Sequence, residues 1–517
     1  MDKSSRTAKS LKNSIVAMAF YVINLALQFF SRKIFLEYLG TEILGLNTTA
    51  MNLLQFLNLA ELGISAAVGF SLYKPLLDND NESINEIITL QKHLYRRIAF
   101  VIMGGAALLM CFFPLIFKKM VLPLWYAYAS FGVLLFSALL TYFVNFKQIV
   151  LSASQQDYKI LYSYKTVSLV KVVCQMSAVY FLNNPYIWWL ILEAFFAIIA
   201  SWSLHRMTMR TFPILRTVSI PFKELRIKYA NLVTKIKQLF FHKIGGFALT
   251  QSSPIIIYAY TTLTEVALYG NYIIIMSGLQ LLFTSIFNSI NAAVGNLVAD
   301  SNQEKQLKVF FELFSLRFLI IVVICTTTYL LTADFITLWI GKQYILKSST
   351  LLLLLCILYI NLFRNTVDSF INAFGLYQDT WAPIAEMISN ISFSIIFGAI
   401  WGLNGVLIGV LCSLILIIVM WKPYFLFRQK FPGYFKTYIW IYFKHIAAGA
   451  VALSLGLFFW KYIRLNSDLN FITLAINIVT CSLLFITLLT LSLLGFRTDI
   501  NSFLKRIVKL TSKDASK

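Results

Sequence analysis

Ionisable side chains set inside long apolar runs are the residues of this chain best placed to do chemistry. Arg32 and Lys33 lie in the first such run, Glu61 in the second, Lys171 in the fifth, Glu193 in the sixth, Arg364 and Asp368 in the tenth and Glu386 in the eleventh. A charge at membrane depth costs about 2.5 to 3.5 kcal/mol on insertion scales, so it normally faces a bundle interior or a watery cavity. The cations suit an anionic cargo. A guanidinium offers phosphate oxygens a bidentate fork, so Arg32, with Lys33 and with Lys171 opposite, is expected to hold a phosphate or pyrophosphate. The competing reading of Arg32 and Lys33 is a pair of snorkelling cations where the first run leaves the membrane. Glu61, Glu193 and Asp368 are the carboxylates that could take up a proton or another cation, because desolvation favours their neutral form. Arg364 and Asp368, four residues apart on one helix, read as a structural pair that neutralises itself.

Two polar stripes accompany these charges. Asn47, Asn52, Gln55, Asn58, Glu61 and Ser65 follow a helical period in the second run, and Ser277, Gln280, Thr284, Asn288, Asn291 and Gly295 do so in the eighth. Such stripes serve either as interhelical hydrogen-bond glue, worth about 0.6 to 2 kcal/mol per contact, or as facing walls of a hydrated cavity. On the second reading Asn58, Gln280, Asn288 and Asn291 would line that cavity and touch a polar cargo.

The elements that must position these residues are membrane helices. The 517 residues are 59% hydrophobic and 13% charged, which leaves no surface for a soluble domain. About fourteen apolar spans of near twenty residues can be placed. The net charge of +22 is not a nucleic-acid footprint: roughly 34 of the 44 Lys and Arg fall at the termini or in even-numbered loops, the positive-inside bias. Both termini are therefore expected in the cytosol, and the first span is expected to stay as an anchor. The densest basic block, Arg206 to Lys243, reads as a cytosolic linker with an amphipathic segment on anionic headgroups. His93, His205 and His445 are placed in or near cytosolic loops, and His242 and Lys243 at headgroups. Six single cysteines inside spans give no reason to expect disulfides, a metal site or any cofactor.

The chain also repeats itself. Thr41 to Glu82, TEILGL through AAVGFSLYKPLLDNDNE, returns as TEVALY through AAVGNLVADSNQE from Thr264 to Glu304, and SQQDYK at Ser154 returns as LYQDTW at Leu376. A period of roughly 223 to 226 residues fits two parallel halves of a transporter. The expected organisation is an all-α polytopic membrane protein: an N-lobe of six helices over 1–206, a basic linker over 207–237, a C-lobe of six over 238–422, extra helices thirteen and fourteen over 423–495, and a basic tail over 496–517. The extra pair serves as a structural prop or as a lateral groove wall.

Membrane-embedded polymerases and glycosyltransferases are the enzymatic alternative. They generally need a sizeable exposed loop with convergent catalytic groups, and the outer loops here are as short as Asn183-Asn184-Pro185. No GxxxxGK[ST], HExxH or GxSxG motif occurs. The DxD-like Asp78 and Asp80 recur as amide-rich wording in the second half and read as a solvated loop. No enzyme is expected.

The run SRKIFLEYLGTEILGLNTTAMNLLQFLNLAELGISAAVGFSLYKPLLDND resembles the N-terminal signature of Wzx polysaccharide-repeat-unit flippases, in the multidrug/oligosaccharidyl-lipid/polysaccharide (MOP) superfamily. The resemblance implies a two-lobed, MATE-like bundle in the bacterial inner membrane that works by alternating access. It would turn over an undecaprenyl-pyrophosphate-linked oligosaccharide for O-antigen, capsule or exopolysaccharide synthesis. Polymerase and chain-length proteins would be its partners, besides membrane lipids. The family's cationic cavity would fall on Arg32, with Lys33 and Lys171, and the Glu of LAELG on Glu61. Peptidoglycan-precursor flippases of the same superfamily also have fourteen helices, whereas its drug/cation antiporters have twelve.

Overall fold

The computed structural model describes residues 3–61, 63–299, 302–376, 378–379, 381–465 and 468–502; the side chains of 3–12, 14, 59–60, 238, 241–251, 286, 288–293, 296 and 299 lie outside that description. All regular elements among the described residues are helical. The chain is an all-α, multi-pass membrane protein.

Ten helices among the described residues are long and apolar enough to cross a membrane. The difference from the expected fourteen has local causes. The rod Trp381–Lys430 is two spans: Gly402 reverses it at φ 56 and ψ −131. Asn390 Nδ2 then donates to Ser413 Oγ at 3.1 Å and Ser394 Oγ to the Val406 carbonyl at 3.2 Å, so the arms run antiparallel. They pack so closely that a Cβ on Gly405 or Gly409 would strike the facing backbone. The second span is broken into Gly40–Leu57, the tight turn Asn58–Glu61 and Ile64–Asp78. In the fifth, a π-turn over Leu161–Lys165 precedes Thr166–Phe181. The seventh, Ala230–Tyr260, is only partly described in its side chains.

The chain forms two compact units, Met1–Ala267 and Leu268–Lys517. The boundary falls in the first turns of helix Leu263–Ala299, so the seventh span packs with the first unit. In that unit Ile64, Val68 and Leu72 of the second span meet Ile88 and Ala99 of the third, Asn81–Cys111, and Tyr142 of the fourth, Trp125–Phe143. Leu215 and Leu225 of the linker belong to the same core.

The linker packs back on the third span. Asn85 accepts from the Arg216 amide at 2.8 Å and donates to the Ile214 carbonyl at 3.2 Å, and the Thr89 hydroxyl accepts from the Val218 amide at 3.0 Å. Glu86 accepts from Lys228 at 2.7 Å and from the Tyr229 hydroxyl at 2.6 Å. Extended backbone would otherwise leave these amides and carbonyls unpaired, so the third span takes them up. The outward cations Lys223 and Arg226 stay exposed.

The second unit is built on an aromatic core along Gln303–Trp339, where Phe310, Phe314 and Phe318 meet Phe363, Phe370, Phe427 and Tyr438. The extra helices Phe435–Ile463 and Phe471–Gly495 brace this rod: Arg464 pairs with Asp334 at 2.7 Å, and Thr327 meets Ser482 at 3.4 Å. His445, expected in or near a loop, is fully buried on the first of them. Its Nε2 bonds Ser315 at 2.8 Å between the rings of Phe314 and Phe318. Lys444 and Lys436 beside it gave the segment a cytosolic look, yet the helix turns its histidine inward.

Candidate functional site

Glu61 closes the tight turn that interrupts the second span. Gly63 follows at φ 95, a backbone conformation that favours glycine. A Cβ there would also come within 2.9 Å of Leu239 and of the Phe240 nitrogen, so the turn and the seventh span need this glycine to approach. The break turns the carboxylate toward the third and fourth spans. Tyr95 donates to Oε1 at 2.9 Å, Ser65 to Oε1 at 3.0 Å and Tyr142 to Oε2 at 2.9 Å. Tyr142 also reaches Asn58 Oδ1 at 3.1 Å, and Ser65 meets the Tyr95 hydroxyl at 2.7 Å. The two rings pack edge to face at 5.4 Å. No lysine or arginine pairs with Glu61 among the described residues.

The stripe of the second span is thus taken up inside its own unit. Asn58, Glu61 and Ser65 meet the tyrosines, Asn47 accepts from Tyr186 at 3.0 Å, and Asn52 donates to the Thr48 carbonyl at 2.7 Å. Apart from the bond of Asn52 within its own helix, that is the hydrogen-bond pattern of interhelical glue, because a polar group in the membrane core needs a partner. In the eighth span Gln280 is exposed, while the side chains of Asn288 and Asn291 lie outside the described residues.

Two expected independent actors turn out to be partners. Lys171 donates to Glu193 at 2.6 Å, and Gln175 to the other carboxylate oxygen at 2.9 Å. The pair straddles the Asn183-Asn184-Pro185 turn, and each charge neutralises the other in this structure. Arg32 is half-buried and donates to the Ala267 carbonyl at 3.0 Å, whereas Lys33 is exposed.

In the second unit Arg364 Nε meets Asp368 at 3.0 Å, as a four-residue spacing allows. The pair is part of a larger network: Lys422 reaches the same carboxylate at 2.7 Å, and Glu386 lies 3.9 Å from Arg364. Arg317, absent from the sequence shortlist, is fully buried, donates to Ser369 at 3.3 Å and lies 5.0 Å from the Phe287 ring centre.

A signal for the missed residues was present in the repeat. Glu82 and Glu304, and again Asp157 and Asp379, are 222 residues apart, and the same offset matches Tyr95 with Arg317 and Tyr142 with Arg364. The offset of 226 between Ala66 and Ala292 matches Glu61 with Phe287. In sequence, the positions of a carboxylate and two tyrosines in the first copy thus hold a phenylalanine and two arginines in the second, and Arg317 there lies over Phe287.

A separate apolar cavity of about 840 Å³ opens in the second unit, lined by Phe318, Tyr329, Leu355, Tyr359, Leu411 and Leu453 among others.

The architecture defines a class: a polytopic α-helical membrane protein with the fold of the MOP transporters. No family model and no curated protein matches the chain. Among solved structures it is similar to lipid II flippase MurJ in an inward closed conformation, with a TM-score of 0.66 and 13% identity over 92% of this chain and 99% of that one. It is also similar to an inward-facing multidrug resistance MATE family transporter of the MOP superfamily, with a TM-score of 0.56 and 14% identity over 80% of this chain and 96% of that one.

Proposed function

We propose that the protein is a flippase of the bacterial inner membrane, with both termini in the cytosol. It moves a polyprenyl-pyrophosphate-linked oligosaccharide to the outer leaflet for O-antigen, capsule or exopolysaccharide synthesis. The observation that carries this reading is the fold shared with a lipid-linked-cargo flippase over 92% of the chain, against 80% for the MATE transporter. The additional coverage suits a chain with an extra helix pair. The SRKIFLEYLG to LYKPL signature directs the choice of cargo toward a polysaccharide repeat unit. A lipid-linked peptidoglycan precursor is the second reading, favoured by the same structural neighbour.

In this mechanism Arg32 contacts the pyrophosphate, with Lys33 at the mouth of the pathway, and Gln280, Asn288 and Asn291 contact the sugars. The apolar cavity of about 840 Å³ beside the extra helices takes part of the polyprenyl chain. Glu61 is the coupling group. Its described partners, Ser65, Tyr95 and Tyr142, are neutral, so it can gain or lose a proton without stranding a buried cation. Protonation of Glu193 would strand Lys171, and protonation of Asp368 would strand Arg364 and Lys422.

Deletion of the gene tests the reading. Loss of surface polysaccharide with accumulated lipid-linked repeat units is expected, in a viable strain. Unchanged surface glycan would refute it, and lysis with accumulated peptidoglycan precursor would move the cargo to the second reading. Arg32→Ala is expected to lower flipping with normal membrane insertion.

A further inference from the structure

From the Glu61 node a series of buried polar side chains leads toward the linker end of the first unit. Tyr95 and Tyr142, which donate to the two carboxylate oxygens, each stand three or four residues from a buried amide. Gln91, four residues before Tyr95, is 1% exposed, and Asn145, in the turn Asn145–Gln148 that follows Tyr142, is 3% exposed. Neither Gln91 Oε1 nor Asn145 Oδ1 has a hydrogen-bond partner among the described residues. Asn145 Nδ2 donates at 2.9 Å to the buried Ser201 hydroxyl of the sixth span, Pro185–Thr211. One turn beyond Ser201 lies His205, half-buried, with its Nδ1 wholly buried and also unpartnered among the described residues. The helix ends at Thr211, within two turns of His205.

The spacing of these groups suits water. Residues three or four apart on a helix set their Cβ atoms about 5 to 6 Å apart, a gap that one water spans with a hydrogen bond of about 2.8 Å on each side. Buried acceptors without a protein partner are where structural water binds. The second copy does not repeat the series. The offset of 222 carries Gln91 onto Leu313 and Asn145 onto Val367. The offset of 219, which relates Phe212-Pro213 to Phe431-Pro432, carries Ser201 onto Met420 and His205 onto Tyr424. The polar series thus belongs to the copy that holds Glu61, whereas helix packing alone would ask for it in both.

We propose that this series is the proton-access path of Glu61, with His205 at its cytosolic mouth. A proton taken up by the imidazole passes over the Ser201 hydroxyl, the water at Asn145 Oδ1 and the Tyr142 hydroxyl, each giving up one proton as it takes one. It ends on the Glu61 carboxylate, and the imidazole returns to its neutral form. Histidine is the side chain that ordinarily exchanges protons near neutral pH. On the turns packed against this span, Tyr158, Tyr162 and Tyr164 and the cations Lys147, Lys159 and Lys165 ordinarily keep theirs, as does Arg206 beside it. Asp157 accepts from Ser152 at 2.6 Å, and Lys171 and Glu193 pair with each other farther along the span. On the seventh span, which packs on Gly63, Lys235 lies 3.8 Å from the Phe70 ring centre and Lys237 is exposed. The proposal rests on the reading of Glu61 as coupling group and on the orientation given above.

The test is a pH jump on the purified full chain, with the protonated Glu61 carboxyl followed by infrared absorption and identified by the loss of its band in Glu61→Gln. Asn145→Val, which installs the second copy's residue, and His205→Leu should reach the wild-type final band at least about tenfold more slowly. Diffusible imidazole should restore the rate in His205→Leu and not in Asn145→Val, a response that a merely structural histidine would not give. Melting curves check that both variants fold; should Asn145→Val fail to, His205→Leu with and without imidazole carries the test alone. A wild-type rate in either folded variant, or a slow His205→Leu that imidazole leaves slow, would overturn the path and leave the coupling reading standing. A wild type without the Glu61 band would remove the coupling reading, and the path with it.

Discussion

The node at Glu61 and the node at Arg317 occupy matched places in two copies of one helical pattern, yet they hold charge in opposite ways. In the first unit a carboxylate is surrounded by the hydroxyls of Ser65, Tyr95 and Tyr142. In the second, Arg364, Lys422, Asp368 and Glu386 interlock close to a buried Arg317 that bonds Ser369, the residue after Asp368. Neutral hydroxyl donors tolerate either protonation state of a carboxylate, whereas an ion network is broken by the loss of any member. Under the proposed function, the first copy is the one suited to switching and the second the one suited to holding shape.

The contrast can be broken most severely at Asp368. Asp368→Asn leaves Arg364 and Lys422 without their shared carboxylate and is expected to destabilise the second unit by about 3 to 5 kcal/mol, read as a fall in melting temperature in detergent. A smaller loss, about 1.5 to 3 kcal/mol, is expected for Tyr142→Phe, which removes a hydrogen bond to a carboxylate. Glu61→Gln keeps the shape and one of the two acceptor oxygens, and Tyr142 can turn its proton to Asn58, so the loss of stability should not exceed that of Tyr142→Phe while the response of transport to pH disappears. A Glu61→Gln protein that melts as early as Asp368→Asn would erase the distinction between the nodes.

The linker gives the mildest test. Glu86 holds Lys228 in the first copy, while the matched position in the second is Lys308. The bond to Glu86, reinforced by its charge, raises the Lys228 pKa above the ordinary lysine value. Its contribution is therefore complete below that ordinary value, about 10.4, and is lost as pH rises through the bound value. Protection of the linker amides, taken relative to their intrinsic exchange rate at each pH, should fall only in that alkaline range in the wild type and already be reduced at neutral pH in Glu86→Gln.

Much of the fold was legible in the sequence because lipid imposes length and apolarity on every span. The breaks were harder to read. Nothing in the hydropathy of LNLAELG marks a tight turn, and its Gly63 becomes informative only once the seventh span is seen against it. The polar stripe was visible, but its partners were not, since Tyr95 and Tyr142 count as apolar or interfacial until their hydroxyls are located. Lys171 and Glu193 could have been paired from the turn at Asn183-Asn184-Pro185, which folds their helices together. Arg317 was hidden among the phenylalanines of an exceptionally apolar rod. Aligning the two copies beyond their shared motifs would have exposed it opposite Tyr95.

The most direct test is flipping of a polyprenyl-pyrophosphate-linked oligosaccharide in proteoliposomes under an imposed pH gradient, comparing wild type, Glu61→Gln and a charge-preserving Asp368→Glu. Wild type and Asp368→Glu should flip the cargo at rates that follow the gradient, and Glu61→Gln should flip it slowly at a rate that ignores the gradient. A gradient response retained in Glu61→Gln, or no flipping by the wild type, would contradict the account.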